Sequence, residues 1–327
     1  MKKTAHIIYP FSKKLDTNPW SIGNNLVRTL KKNFKIRNYL WTSIEKIIPN
    51  KGDILIGHAN SNPFTIFRRS IDNKLWAKKI LLQPYNEDLY QLSYLYDLIP
   101  KCDSFLMLCG EYWFDRLKYS KFKKWSTKAV RLDLGINTKD YPFIKKEFNK
   151  KKERKFLYIG NDYAYNNYAK NVSFLEKLAN LYNPSLFATM GNKILKNIKH
   201  YGWLDFKDKK NLNILKKYDF LIQTSKNDAN PSTILEAISW GLIPVISKEC
   251  GYYKIPSFKY VEINSLNNSI KTIKKLENLS NRELIKLQKK NFYLIEKKYK
   301  WKYSRKKVLR TCLDNKVRFN KIYYTKK

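Results

Sequence analysis

Two carboxylates in the C-terminal half of the sequence, Asp228 and Glu236, stand eight positions apart. They lie in the segment YDFLIQTSKNDANPSTILEAISWGLIPVIS, residues 218–247, the first in a polar loop and the second in a predicted first helical turn. Carboxylates placed in this way can accept hydrogen bonds from hydroxyl groups at two ends of one ligand. The pair therefore predicts a site for a ligand whose hydroxyl groups flank a phosphate.

The loop between the two carboxylates predicts an anion site. An apolar strand ends at Ser225, and a helix is predicted to start near Thr233 and to end at Gly241. Ligands of open parallel sheets bind at the carboxyl ends of the strands, where the free N–H groups and positive dipole of a helix start attract a diphosphate. The predicted ligand-binding residues here are Asn230, Pro231, Ser232, Thr233 and Ile234.

An alternative interpretation of Glu236 needs no ligand. Thr233 and Glu236 also match a capping box, in which a glutamate at the third helical position folds back on the N-cap amide. Asp228 and the surrounding NPST, LEA and PVI sequences favour the binding site, but the sequence alone leaves both interpretations open.

The elements that would position these residues form two successive α/β halves. Apolar strand patterns alternate with helical periodicity, which predicts parallel sheets. The predicted strands cover residues 5–11, 35–41, 53–58, 78–83, 103–109 and 129–134, and then 155–160, 185–190, 218–225 and 243–247. The predicted domains are an N-terminal acceptor domain at 1–142, a basic linker at 143–154, a donor domain at 155–290 and a basic helical segment at 291–327.

The segment 218–247 resembles the donor-binding signature of the retaining group-1 glycosyltransferases, family 4 and relatives. The resemblance implies the GT-B fold, with two Rossmann-like, doubly wound domains facing a cleft and a C-terminal helix returning to the N-terminal domain. It implies that Asp228 contacts the donor hexose and Glu236 the ribose. The family usually has glutamate at the first position, so Asp228 shortens the reach and leaves the sugar open.

Weaker similarities extend over most of the chain. KFLYIGND and AKNVSFLEKL resemble the start of the family's donor domain, which implies that Gly160 forms a tight turn and that Lys170 lies near the diphosphate. Asn161 stands where the family usually has arginine, so that phosphate contact is either missing or supplied by another residue, such as Lys226.

Two further candidates lie in the N-terminal half. WSIGNNLVRTL resembles the family's first loop and helix, which implies that Gly23 approaches the phosphate or the acceptor. His58 ends a predicted strand at the expected cleft, and many family members place a histidine at the end of a neighbouring strand. The alternatives are an ordinary helix-start glycine and a structural histidine.

The composition limits cofactors and location. The four scattered cysteines form no CxxC pair or zinc-like cluster, and no Asp-x-Asp pair is present to clamp a metal on the diphosphate. We therefore expect neither metal nor cofactor. With no convincing signal peptide and no apolar run of about 20 residues, a cytoplasmic protein is expected.

The net charge of +39 leaves several partners open. It would suit nucleic acid, but the lysines are spread along the chain as an AT-rich genome would produce. The basic and aromatic segment RLKYSKFKKWSTK at 116–128 is interpreted as a face for anionic membrane lipid, and nucleic acid is not favoured.

The sequence therefore predicts a metal-independent, retaining glycosyltransferase. It would move a sugar from a nucleotide-sugar donor to a glycan or lipid-linked acceptor in polysaccharide or lipopolysaccharide synthesis. A peripheral position on the inner face of the plasma membrane stays open. The alternatives are a basic nucleic-acid-binding protein and a sugar-nucleotide epimerase of the same architecture.

Overall fold

The computed structural model describes residues 2–10, 21–87, 89–161 and 167–314. By its internal contacts the chain divides into two units. Residues up to Gly135, together with those from Trp301 onward, form the first unit, and Ile136–Lys300 form the second. The structure thus divides the chain at 135/136 and 300/301, whereas the sequence analysis placed the divisions at 142, 154 and 290.

The first unit is built on a six-stranded parallel sheet with the order β2-β1-β3-β4-β5-β6. Its strands are β1 (Thr4–Ile8), β2 (Lys35–Tyr39), β3 (Ile54–Gly57), β4 (Lys78–Pro84), β5 (Ser104–Leu108) and β6 (Ala129–Arg131). Its first four helices are α1 (Ile22–Leu30), α2 (Ile66–Ser70), α3 (Leu89–Leu98) and α4 (Gly110–Leu117). The inner strands β1 and β3 are buried throughout, as expected where both faces of a parallel sheet are covered.

The second unit contains another six-stranded parallel sheet, with the order β12-β11-β10-β7-β8-β9. Its strands are β7 (Phe156–Ile159), β8 (Phe187–Met190), β9 (Lys199–His200), β10 (Phe220–Gln223), β11 (Ile243–Ile246) and β12 (Lys259–Tyr260). Its helices are α5 (Asn167–Lys170), α6 (Val172–Tyr182), α7 (Lys209–Leu215), α8 (Ser232–Trp240), α9 (Leu266–Glu277) and α10 (Asn281–Lys298). The strand order reverses between β7 and β10, where a crevice opens beyond the carboxyl ends of the strands.

The last helix, α11 (Trp301–Leu313), belongs to the first unit, as the resemblance implied. It packs against α1, where the Arg305 guanidinium donates to Asn25 Oδ1 at 2.7 Å. A Cβ on Gly135 would come within 2.6 Å of the Trp301 backbone, so a glycine permits this close approach. The remainder of the predicted basic C-terminal segment, residues 315–327, lies outside the described residues.

The ten predicted strands are confirmed, with ends that differ by a few residues. The sequence analysis missed the two-residue strands β9 and β12, which are too short to show a periodicity. All four cysteines are free and buried. In the described ranges no helix has the length and apolarity needed to cross a membrane.

Candidate functional site

The site predicted from the sequence lies at the crevice between β7 and β10. Gln223 is buried at the end of β10, and its Nε2 donates to the Ile159 carbonyl at 2.7 Å and to Thr233 Oγ1 at 3.4 Å. This one side chain ties the ends of both strands to the first turn of α8. The predicted helix start is therefore placed where an open parallel sheet binds its ligands.

Helix α8 excludes the capping box at Glu236. The helix begins at Ser232 and its N-cap is Pro231, whose side chain makes no capping hydrogen bond, so Glu236 occupies the fifth helical position instead of the third. The helix ends, as predicted, at Gly241, which adopts the left-handed conformation (φ +96°) favoured at this position. The alternative interpretation of Glu236 was wrong because the helix begins before Thr233.

The hydroxyl groups of Ser232, one turn earlier, and Tyr141 instead interact with the Glu236 carboxylate and favour its charged form. Burial raises the pKa of Glu236 to about 7, and the two hydroxyl groups oppose this rise only in part. The side chain keeps some exposure to solvent. A carboxylate with this environment changes its charge near neutral pH and can still accept a ligand hydroxyl.

The sequence analysis missed Tyr141. Its ring packs edge-on against Trp240 with 5.7 Å between centroids, which fixes its hydroxyl at Glu236. The N–H groups of Ile144 and Lys145 donate to the Trp240 carbonyl at 3.0 and 2.9 Å, so the segment after Tyr141 is held at the end of α8. No periodicity or spacing connects Tyr141 with Glu236.

Asp228 and Lys170, predicted separately, form an ion pair. Each side chain keeps about a fifth of its surface exposed, at 20% and 22%, so a ligand can reach both. Lys170 ends α5 and is followed by Asn171 in the left-handed conformation, a region that asparagine tolerates better than most residues. Asn171 Nδ2 donates to the Thr224 carbonyl at 3.1 Å, which holds this turn beside the end of β10.

The loop from β10 to α8 is anchored through its backbone. The N–H groups of Lys226 and Asn227 donate to the Ala169 carbonyl at 2.8 and 3.1 Å. The Tyr252 hydroxyl donates to the Pro231 carbonyl at 3.3 Å from the opposite side. Asn230 is buried within this loop, whereas the Lys226 side chain is exposed.

Gly160 lies at the end of β7, where it meets the end of β8. Its N–H donates to the Met190 carbonyl at 3.0 Å. Gly191, which follows Met190, has φ +128°, and a Cβ there would lie 2.0 Å from the Gly160 carbonyl oxygen. The two strand ends approach this closely because Gly191 carries no side chain.

The remaining two candidates lie in the first unit. Gly23 is buried in the first turn of α1, next to Asn24, whose N–H donates to Ser21 Oγ. His58 follows β3 and packs edge-on against Trp41, at 4.6 Å between ring centroids, and against Tyr9, at 5.9 Å. Burial lowers the pKa of His58 to about 4, so the imidazole is neutral at pH 7. This aromatic packing favours the structural interpretation of His58.

The second unit thus combines a helix start, a lysine and two carboxylates at one crevice. Such a set can bind a diphosphate through N–H groups and a cation, and hydroxyl groups through Asp228 and Glu236. Within the part of the chain that the structure describes, no cluster of three or more His, Cys, Asp or Glu side chains could hold a metal.

The sequence matches no protein-family model and no curated protein. Solved structures do match. TarM has 14% sequence identity and a TM-score of 0.59, over 89% of this chain, and this chain spans 58% of TarM. An alpha-glucosyltransferase in complex with UDP-glucose and DNA has 12% identity and a TM-score of 0.57, with 95% of this chain and 99% of that one covered.

A third solved structure is WaaG, a glycosyltransferase involved in lipopolysaccharide biosynthesis. It has 12% identity and a TM-score of 0.61, with 95% of this chain and 99% of WaaG covered. Identities this low establish the fold alone. Taken with the two parallel sheets of six strands, the likeness shows that the chain has the GT-B fold of nucleotide-sugar glycosyltransferases.

Proposed function

We propose that this protein is a glycosyltransferase whose second unit binds a nucleotide-sugar donor. One observation carries the proposal: the Lys170–Asp228 ion pair joins the end of α5 to the loop before α8, and Glu236 lies in the N-terminal half of that helix. Two acids and a cation at the switch point of a parallel sheet are suited to a ligand with a diphosphate between hydroxyl-bearing groups.

Each group has a role in this proposal. The α8 amides, from Ser232 to Ile234, and Lys170 bind the diphosphate, with Lys226 as a second cation. Glu236 accepts hydrogen bonds from the ribose, and Asp228 from the hexose. The helix start and the lysines stabilise the charge that develops on the leaving nucleoside diphosphate, which is an electrostatic route that needs no metal. Retention at the anomeric carbon is proposed from the family resemblance.

The acceptor in this proposal is a glycan or lipid-linked sugar in the synthesis of a surface polysaccharide or lipopolysaccharide. The structural likeness to WaaG supports this setting, and UDP-glucose in the matched alpha-glucosyltransferase makes a UDP-sugar the first donor to test. We place the protein in the cytoplasm, at the inner face of the membrane. Its net charge of +39 supports contact with anionic lipid.

A thermal-shift panel of UDP-, GDP- and ADP-sugars tests the donor site, because a ligand that binds only the folded state raises the melting temperature. At least one class should stabilise the wild-type protein and lose this effect in Glu236→Gln. Glu147→Gln is the control, because Glu147 is an exposed carboxylate elsewhere in the same unit. Equal shifts in both variants would refute the site.

Two further assays address the alternative functions. Product analysis with donor but no acceptor would reveal an epimerase through a changed nucleotide sugar. Filter binding with RNA would reveal a nucleic-acid-binding protein, if salt-sensitive binding occurs without any response to nucleotide sugars.

A further inference from the structure

Four large aliphatic or aromatic side chains project into solvent from residues 40–64 of the first unit. Leu40, Ile44, Ile48 and Phe64 are between 56% and 81% exposed. One exposed isoleucine is ordinary in a folded protein, whereas a group of neighbouring ones marks an interaction site. We name these four residues the apolar surface.

Hydrogen bonds hold the two segments of the apolar surface side by side. The Ile66 N–H donates to the Ser43 carbonyl at 2.7 Å, and the Arg69 guanidinium donates to the Ile44 carbonyl. The Ser43 N–H donates to the Leu40 carbonyl at 3.1 Å, and this turn connects Leu40 to the same segment. Residues 40–48, which follow the edge strand β2, therefore lie against residues 64–70.

The burial pattern shows that the exposure is a property of the folded segment. Ile47 is 5% exposed, and its N–H donates to Ser70 Oγ at 2.9 Å, so this isoleucine anchors the segment to α2. Its neighbours Ile44 and Ile48 point away from the core. The segment is thus fixed in a conformation that presents apolar side chains to the outside.

The charges around the apolar surface are strongly biased. Ranges 35–48 and 60–70 contain five basic residues and one acidic residue, Glu45. The basic residues are Lys35, Arg37, Lys46, Arg68 and Arg69. Exposed apolar side chains in such basic segments complement a layer of anionic headgroups above hydrocarbon. The core of a protein interface is instead depleted in charged residues.

The segment 116–128, interpreted from the sequence as a lipid-binding face, has a different character. Leu117, Phe122 and Trp125 are buried, and Lys124 lies over the Tyr96 ring at 4.4 Å. Tyr119 is the large apolar side chain that stays exposed there. This segment can attract anionic lipid through its lysines, but it has few exposed apolar side chains to insert into a bilayer. It connects β5 to β6, the edge strand opposite to β2.

We propose that the apolar surface inserts into the interfacial layer of an anionic bilayer, with its basic neighbours on the headgroups. This inference rests on the proposed function only for the role of membrane binding, which is to bring the enzyme to a membrane-borne acceptor. Vesicle binding needs neither donor nor acceptor, so the two proposals fail separately. Nucleotide-sugar shifts should be unchanged when the apolar surface is altered.

Flotation with vesicles of phosphatidylethanolamine and phosphatidylglycerol in equal parts tests the proposal. The wild-type protein should float with them and not with phosphatidylcholine vesicles. The double variant Ile44→Glu and Ile48→Glu should bind the anionic vesicles at least about tenfold more weakly, since apolar burial is lost and like charge is added. Both residues are exposed, so the variant should keep the wild-type melting temperature.

Leu181→Glu with Ile194→Glu is the matched control, because these side chains of the second unit are similarly exposed, at 63% and 73%. This variant should float as the wild type does. Lys121→Glu with Lys124→Glu should weaken flotation at low salt and have little effect at high salt. Flotation of the Ile44 and Ile48 variant at the wild-type level would overturn the proposal. So would a wild-type protein that self-associates through this surface and does not float.

Discussion

The Tyr141 hydroxyl interacts with the Glu236 carboxylate and favours its charged form, and the Tyr141 ring packs on Trp240, one turn further along the same helix. Two contacts with one helix fix the tyrosine, so its hydroxyl is held where the carboxylate needs a donor. Burial and the nearby Glu236 charge raise the pKa of Tyr141, which keeps this hydroxyl protonated at any working pH. Tyr141 therefore acts as a positioning residue for Glu236.

Tyr141→Phe should weaken donor binding by about tenfold, which is the size of effect expected when a charged group loses a polar partner. Loss of the hydroxyl removes an interaction that favours the ionised form, so the pKa of Glu236 should rise further. Donor titrations over a pH series would show the midpoint of binding moving to higher pH. Tyr201→Phe removes a hydroxyl from the Tyr201–Tyr218 pair in the same unit and should leave the midpoint unchanged.

In the absence of ligand, the Glu236→Gln variant should be more stable than the wild-type protein at high pH. Burial raises the pKa of Glu236 to about 7 from 4.5, so between these values the folded chain holds a proton that the unfolded chain has lost. Wild-type stability therefore falls as pH rises through this window, and glutamine has no such loss. At pH 8 the variant should have a free energy of unfolding higher by about 1–3 kcal/mol.

Urea unfolding of both proteins at pH 4 and pH 8 measures this difference. The stabilities should converge at pH 4, because both pKa values of Glu236 lie above it. A constant difference across the series would contradict a buried, proton-binding Glu236.

Variants of Lys170 and Asp228 should distinguish the binding of the diphosphate from the binding of the sugar. Lys170→Met should weaken binding of both the nucleoside diphosphate and the nucleotide sugar. Asp228→Asn should weaken the nucleotide sugar alone, since it removes the proposed hexose contact and leaves the Lys170 cation available to the diphosphate. Calorimetry with both ligands on both variants measures these effects.

The pair itself should contribute little to stability. Its side chains are partly exposed, so a double-mutant cycle should give a coupling free energy of about 0.2–1 kcal/mol. Equal losses of both ligands in Asp228→Asn would argue against a role in sugar recognition.

Gly191→Ala should destabilise the second unit more than Gly202→Ala. Both glycines have positive φ, so each substitution introduces backbone strain of about 1–2 kcal/mol. At Gly202 the new Cβ meets nothing within 4 Å, whereas at Gly191 it meets the Gly160 carbonyl. The clash should add about 1–3 kcal/mol, measured by urea unfolding. Equal losses of unfolding free energy in the two variants would show that the strand ends can move apart.

Local patterns in the sequence predicted most of the fold. Apolar runs located ten strands, and the Pro231 to Gly241 sequence located α8 within one residue. The two edge strands of the second sheet, β9 and β12, were missed because two residues cannot show a pattern. In the segment 116–128, composition could not tell that Phe122 and Trp125 face the core.

The candidate site was only partly predictable. Asp228, Glu236 and Lys170 came from motif spacing, but their contacts did not, because an ion pair between a helix end and a distant loop leaves no local signal. Tyr141 was missed for the same reason. The capping box at Glu236 depended on which residue begins α8, and a two-residue difference at a helix end is beyond what propensity can decide.

The burial of all four cysteines makes this protein well suited to spectroscopic labelling. Burial raises the pKa values of the Cys102, Cys250 and Cys312 thiols to about 12, and the pKa of Cys109 is also well above its usual range. Reactive thiolate is therefore scarce at neutral pH. A single cysteine introduced on either unit would take up a maleimide fluorophore selectively, so bilayer contact and donor binding could be followed in real time on an otherwise native chain.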